Sequence, residues 1–162
     1  MNPETKTKPR IAVFPGTFDP ITLGHADIVR RAAEMFDHVI VAMGRNTKKQ
    51  SLFPLEQRME WIREIFKDNP RIEVDTYDEL TVEYCRRKNA SFIVRGLRGS
   101  GDFEYEAHLA QVNRKLDSRI ETIFLITNPE LSNISSTVVR DIIIYGGDYT
   151  PFVPSAVRPE RK

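Results

Sequence analysis

The chain has 162 residues, 40% of them hydrophobic and 29% charged, which is enough for one domain with a core and little more. Its 24 lysines and arginines against 23 aspartates and glutamates leave a formal charge of +1. That near balance excludes the broad basic field that nucleic-acid binding draws on, so an anion site has to be local. No apolar stretch approaches the roughly 20 residues of a membrane span. Residues 1–9 are polar with no apolar signal core and read as a disordered leader before a domain over residues 10–162, expected to be cytoplasmic. Cys85 is the single cysteine, which excludes an internal disulfide framework and a cysteine-rich zinc site and leaves it a small core residue.

In chain order, residues 10–14 read as a first strand. Residues 24–36 form a helix with Ile28, Val29, Ala32, Ala33 and Phe36 on one face and Asp27, Arg30, Arg31 and Glu34 opposite. Residues 38–43 are almost continuously apolar, as befits a parallel strand covered on both faces. Pro54 reads as the first position of a second helix carrying Leu55, Met59, Ile62 and Phe66, stopped at Asp68-Asn69-Pro70. A third strand over 71–76 leads to a short helix over 81–88, and a fourth strand is expected over 91–94. The glycine-rich passage 96–101 precedes a helix over 102–116 and a fifth strand over 122–126. Ser135, Ser136 and Thr137 supply capping hydroxyls for a last helix over 138–145, closed by Gly146-Gly147. Pro151, Pro154 and Pro159 leave a mostly irregular tail, able to cover part of the core.

Strands alternating with helices imply right-handed crossovers and an α/β domain: a Rossmann-like open five-stranded parallel sheet with helices on both faces. Ligands in such sheets bind beyond the carboxyl ends of the strands, at the switch point. The segments that carry chemistry each follow a strand: PGTFDPITLGH (15–25), Lys49, Thr81, Arg95-Gly96-Leu97-Arg98, and the run ending in Ser135-Ser136-Thr137. Five connections are therefore expected to converge on one edge.

Residues 15–25 are the most informative of these. Gly16 reads as the place where a ligand approaches the backbone and Gly24 as a close-packing position, with His25 in the first helical turn beside free N–H groups and the positive end of the helix dipole. The segment resembles the (H/T)xGH signature of the nucleotidyltransferase superfamily. Thr22-Leu23-Gly24-His25 after Pro15-Gly16-Thr17-Phe18-Asp19-Pro20 looks like the bacterial phosphopantetheine adenylyltransferases, because related cytidylyltransferases and nicotinamide mononucleotide adenylyltransferases usually carry histidine at the place of Thr22. Two further blocks extend the resemblance: Arg95-Gly96-Leu97-Arg98 with Asp102-Phe103-Glu104-Tyr105-Glu106, and Ile134-Ser135-Ser136-Thr137. Gly99, Ser100 and Gly101 make the intervening loop richer in glycine than the family pattern, and Leu131 and Asn133 stand where some relatives have aromatic residues.

The resemblance implies adenylyl transfer from ATP to 4'-phosphopantetheine, giving dephospho-coenzyme A and pyrophosphate, by direct in-line attack. It places Thr17, Lys49, Thr81 and Arg95 on the acceptor side. On the nucleotide side it places Thr17, Phe18, His25, Gly96, Leu97, Arg98, Glu106, Leu131, Ser132, Asn133, Ile134, Ser135, Ser136 and Thr137. His25, Lys49 and Arg98 would carry the catalysis, His25 as transition-state stabiliser in a protonation state left open. It further implies Mg2+ held through the ATP phosphates with no protein metal site, a homohexamer, and coenzyme A as a feedback ligand, with no nucleic-acid or membrane partner. Plainer readings stand beside these: a solvated loop pair for Lys48 and Lys49, carboxylate caps for Arg95 and Arg98, a surface charge for Glu106 with Glu104 as competitor, a turn hydroxyl for Thr17. His38 and His108 receive no role, and Phe103 and Tyr105 read as packing or interface residues. The alternatives in function are a nucleotidyltransferase acting on nicotinamide mononucleotide or forming a CDP-alcohol, and a non-catalytic nucleotide or coenzyme A sensor.

Overall fold

A computed structural model describes residues 7–45, 48 and 50–160. Most of the expected leader and Lys49 lie outside the described residues. Five strands, β1 (Ile11–Gly16), β2 (His38–Gly44), β3 (Ile72–Tyr77), β4 (Phe92–Leu97) and β5 (Glu121–Ile126), alternate with five helices. The helices are α1 (Leu23–Met35), α2 (Leu55–Phe66), α3 (Thr81–Arg87), α4 (Ser100–Leu116) and α5 (Ser136–Ile144). All strand pairs are parallel, in the order β3-β2-β1-β4-β5. The α/β class and the five-stranded open sheet are as the residue pattern implies.

The period of two along the central strands sorts side chains into two cores. Ala12 and Phe14 of β1 and Val39, Val41 and Met43 of β2 join the apolar faces of α1 and α2. Val13, Ile40 and Ala42 meet Val82, Tyr84 and Cys85 of α3 on the other side. The five buried residues in a row in β2 are the mark of a strand covered on both faces. Burial pushes the Cys85 thiol up to about 12, so it packs and does not react. In the tail, Val153 and Val157 enter the first core, covering part of it.

Most boundaries shift by one or two residues from the sequence reading, β1 running on through Gly16 and α5 starting at Ser136, and three differences bear on the argument. β4 runs on through Arg95, Gly96 and Leu97 because these pair with Phe124, Leu125 and Ile126 of β5, so residues expected in a loop are strand. α4 begins at Ser100 rather than 102, where the Asp102 carboxylate accepts the Arg98 N–H at 3.0 Å. Pro54 precedes the first helical residue of α2 instead of occupying it.

The sheet order reverses between β1 and β4: β2 and β3 lie beyond β1 on one side, β5 beyond β4 on the other. α1 packs closely here, since a Cβ added at Gly96 would come within 3.2 Å of Ile28. The N-terminus of α1 is thereby held above the switch point, at the carboxyl ends of β1 and β4. Among the described residues, no helix is long and apolar enough to cross a membrane.

Candidate active site

A cleft of about 620 Å³ opens at this edge. Thr17, Phe18, His25, Thr81, Arg95, Gly96, Arg98, Glu106, Ile134, Ser135, Ser136 and Thr137 all line it, drawn from four of the five expected connections and from α4. Leu97, Leu131, Ser132 and Asn133 are not among the lining residues; Leu97 is buried, and Leu131 ends a short 3-10 turn, Pro129–Leu131. The Lys49 assignment falls outside the described residues.

Thr22 caps α1 in a reciprocal arrangement. Its hydroxyl accepts the His25 N–H at 3.3 Å while its own N–H donates to His25 Nδ1 at 3.1 Å. A backbone N–H only donates, so Nδ1 offers its lone pair and the imidazole proton stands on Nε2. Burial, then the charges of Arg95 and Arg98, lower the His25 pKa to about 4, leaving the free protein with a neutral imidazole. The ring is held edge-on to Phe18, centroids 5.2 Å apart.

Phe18 explains Gly16 differently from the sequence reading. A Cβ at Gly16 would stand 2.8 Å from Phe18 Cζ, so the chain's own ring requires glycine at this position of the cleft wall. At Gly24 a Cβ would meet its nearest neighbour at 3.6 Å, an ordinary contact, so close packing is not what glycine serves there. Phe18 itself sits at φ +48, a left-handed conformation that costs a non-glycine residue of order 1 kcal/mol and persists only where packing enforces it.

Three arginines from different elements hold the 15–19 segment by alternate carbonyls. Arg95 donates to Pro15 O at 2.8 Å, Arg58 to Thr17 O at 2.6 Å and Arg140 to Asp19 O at 2.9 Å. Ser136 adds a hydrogen bond from its hydroxyl to Pro20 O. Arg95 also makes a two-pronged ion pair with Glu106, at 2.8 and 2.7 Å. Burial acts to lower the Arg95 pKa, but Glu106 overrides it and holds the guanidinium charged. Glu106 is buried while Glu104 is exposed, which decides between the two candidates for a place in the site. Arg98 rests on Asp102, and Thr81 shares a hydrogen bond with the Tyr77 hydroxyl at 3.0 Å.

Arg58, Arg140, Asp19 and Tyr77 were not singled out as site residues from sequence. A signal existed for two of them. Arg58 falls on the apolar stripe of α2 with Leu55, Met59 and Ile62, where a charge demands a buried partner. Arg140 lies one helical turn beyond Ser136 and so shares its face. His38 pairs with Glu73 and His108 is exposed, and neither lines the cleft.

The carboxylates of the cleft are engaged by the protein itself: Asp19 by the N–H groups of Leu52 and Phe53, Glu106 by Arg95, Asp102 by Arg98. Among the described residues no group of three or more His, Cys, Asp or Glu is placed to hold a metal. The site is thus a concave, cation-lined surface with an N–H-rich helix terminus and a neutral histidine donor, suited to phosphoryl groups.

Comparison with known proteins agrees with this chemistry. The cytidylyltransferase-like family profile matches residues 13–142. The phosphopantetheine adenylyltransferase of Phocaeicola vulgatus is 51% identical over 149 residues, covering 92% of this chain and 98% of the relative. That of Flavobacterium psychrophilum is 52% identical over 149 residues with the same coverage, and that of Flavobacterium johnsoniae 49% over 152 residues, 94% and 99% of the two chains. The chain therefore belongs to the phosphopantetheine adenylyltransferase family of cytidylyltransferase-like nucleotidyltransferases.

Proposed function

We infer that this cleft transfers the adenylyl group of ATP to 4'-phosphopantetheine, releasing pyrophosphate and forming dephospho-coenzyme A. The observation that carries the reading is a histidine whose proton is directed to Nε2 by its helix cap, set beside Arg95 and Arg98 at the switch point of the sheet. The family relationship supplies the substrates.

The acceptor phosphate has a second pKa of about 6 and is largely ionised at neutral pH, so attack on the α-phosphorus needs no general base. The task is to bring two anions together and in line. Unit charges about 4 Å apart repel by roughly 4 kcal/mol at an effective dielectric near 20, and a helix terminus returns only about 0.3 to 1 kcal/mol. Side-chain cations have to supply the rest. Arg95, with Thr17, Thr81 and Lys49, is assigned to the acceptor phosphate and pantetheine arm. Arg98, Phe18, Gly96 and residues 134–137 are assigned to the nucleotide, whereas Glu106, a nucleotide contact by resemblance, is assigned to the acceptor side because it holds Arg95. His25 donates from Nε2 to the α-phosphate oxygen as charge develops on it; as a neutral donor it gives no proton away.

Magnesium suits this donor set as an ion carried in on the nucleotide phosphates, where it would neutralise further charge. The engaged state of Asp19, Asp102 and Glu106 supports that route over a protein-held ion. Association between copies is supported by apolar side chains left exposed on α4 and α5, among them Phe103, Val112, Leu116, Val138 and Ile144, and the family resemblance supplies the homohexamer as the form proposed. Coenzyme A, which contains the product, is proposed as a feedback ligand of the same cleft.

The test is pyrophosphate release from ATP and magnesium with 4'-phosphopantetheine, and with nicotinamide mononucleotide as control. Turnover with the first alone is expected. ATP binding without turnover of any phosphorylated acceptor would replace this reading with that of a sensor.

A further inference from the structure

We propose that Arg58 and Asp19 form a buried clamp that orients the nucleotide-binding turn, with Arg58 a positioning residue for the reaction. Arg58 is 6% exposed and does not line the cleft; Asp19, 3% exposed, lines it but spends both carboxylate oxygens on backbone N–H groups. Asp19 accepts the N–H of Leu52 at 2.8 Å and of Phe53 at 2.9 Å. In return Arg58 donates to Phe53 O at 3.0 Å and to Thr17 O at 2.6 Å. Residues 17–19, after β1, and residues 52–53, before α2, are therefore joined by four hydrogen bonds through two buried side chains of opposite charge.

The consequence for the site lies in one peptide plane. The Thr17 carbonyl and the Phe18 N–H belong to the same trans peptide and point in opposite directions. Drawing the carbonyl to Arg58 turns the Phe18 N–H the other way, and it holds Phe18 in its left-handed conformation with its ring against His25. Two sequence-assigned nucleotide contacts, Thr17 and Phe18, thus take their orientation from a side chain 41 residues away. A buried arginine on the apolar stripe of α2 is costly, and an apolar side chain would pack there; the charge is explained by the carbonyls it holds.

The inference rests on the adenylyl-transfer reading, and the experiment separates the two. Arg58→Lys keeps the charge but has no fork with which to hold Thr17 O and Phe53 O together. Its turnover, assayed well below its melting temperature, is expected to fall about 10- to 100-fold with the KM for ATP changed less than about threefold, the signature of lost orientation. Guanidinium at low millimolar concentration is expected to restore part of the turnover of Arg58→Ala, and urea at the same concentration none. Unchanged kcat in Arg58→Lys, or a loss residing wholly in KM, overturns the proposal; should Arg58→Ala not fold, the lysine variant decides. Wild-type turnover run in parallel tests the reading of the site itself. If that is absent, hydrogen exchange at Leu52 and Phe53 judges the clamp: protection about tenfold lower in Arg58→Lys supports it, and unchanged protection overturns it.

Discussion

The backbone N–H of Thr22 points at Nδ1 of His25 from 3.1 Å, and this contact settles which nitrogen of the ring faces the cleft with a proton. The same residue pair that caps the start of α1 therefore sets the donor that the proposed function directs at a phosphoryl oxygen. In the proposed reaction, helix capping and catalysis share their atoms.

In the free protein the His25 ring is expected to titrate near pH 4 and to carry its proton on Nε2 above that, as read by 15N-resolved NMR of the imidazole. Nucleotide phosphates placed against it should raise the midpoint. A free-protein midpoint at the ordinary 6.5 would contradict the arrangement.

The same shift has a stability consequence with a definite sign. Between pH 6.5 and about 4 the unfolded chain takes a proton on His25 that the native state refuses, so the contribution is complete above 6.5 and drains as pH falls towards 4. Urea midpoints should drop more steeply over that window for wild type than for His25→Gln. Turnover of His25→Ala, which has no side-chain donor, should be about 100- to 1000-fold lower, the cost of one directed donor to a developing oxyanion.

Thr22→Val removes the capping hydroxyl and is expected to cost about 1 kcal/mol in chemical denaturation. Loosening the ring should also lower kcat. Thr22→Ser, which keeps the hydroxyl, should retain most of both.

Gly16→Ala places a methyl group 2.8 Å from the Phe18 ring and is expected to destabilise the fold by about 1 to 3 kcal/mol. Pairing it with Phe18→Leu should return part of the melting temperature. If Gly16→Ala melted like wild type, the close approach of the two residues would be wrong.

Glu106→Gln breaks the two-pronged pair with Arg95 and leaves a partly buried guanidinium short of its counter-charge, at an expected cost of about 3 kcal/mol. Because Arg95, assigned to the acceptor, then loses the partner that orients its guanidinium, the KM for 4'-phosphopantetheine should rise more than that for ATP. Steady-state kinetics with each substrate varied in turn measures the split.

Much of this was legible in the residues alone. The continuous apolar run of β2, the 3.6-residue spacing in α1 and α2, and the recurrence of strand and helix dictate an α/β sheet, because local periodicity decides which side of an element meets the core. The TLGH turn after β1 likewise placed His25 in the first turn of a helix, while its reading as an anion site came from the resemblance of the eleven-residue context, since a lone Gly-His pair is more often an ordinary first-turn histidine.

What tertiary structure decided are the partners. Whether Glu104 or Glu106 faces Arg95, whether a side chain of the protein itself requires Gly16, and which nitrogen of His25 holds the proton all depend on groups brought together from separate elements or on the geometry of a cap. β4 extended through Arg95 and Gly96 only because β5 lies beside it. Arg58 on the stripe of α2 signalled a buried partner, but no local rule names Thr17 as that partner. Spacing along a chain determines facing, whereas the crossovers and strand order determine what is faced, and a buried charge or a histidine tautomer is set by the second.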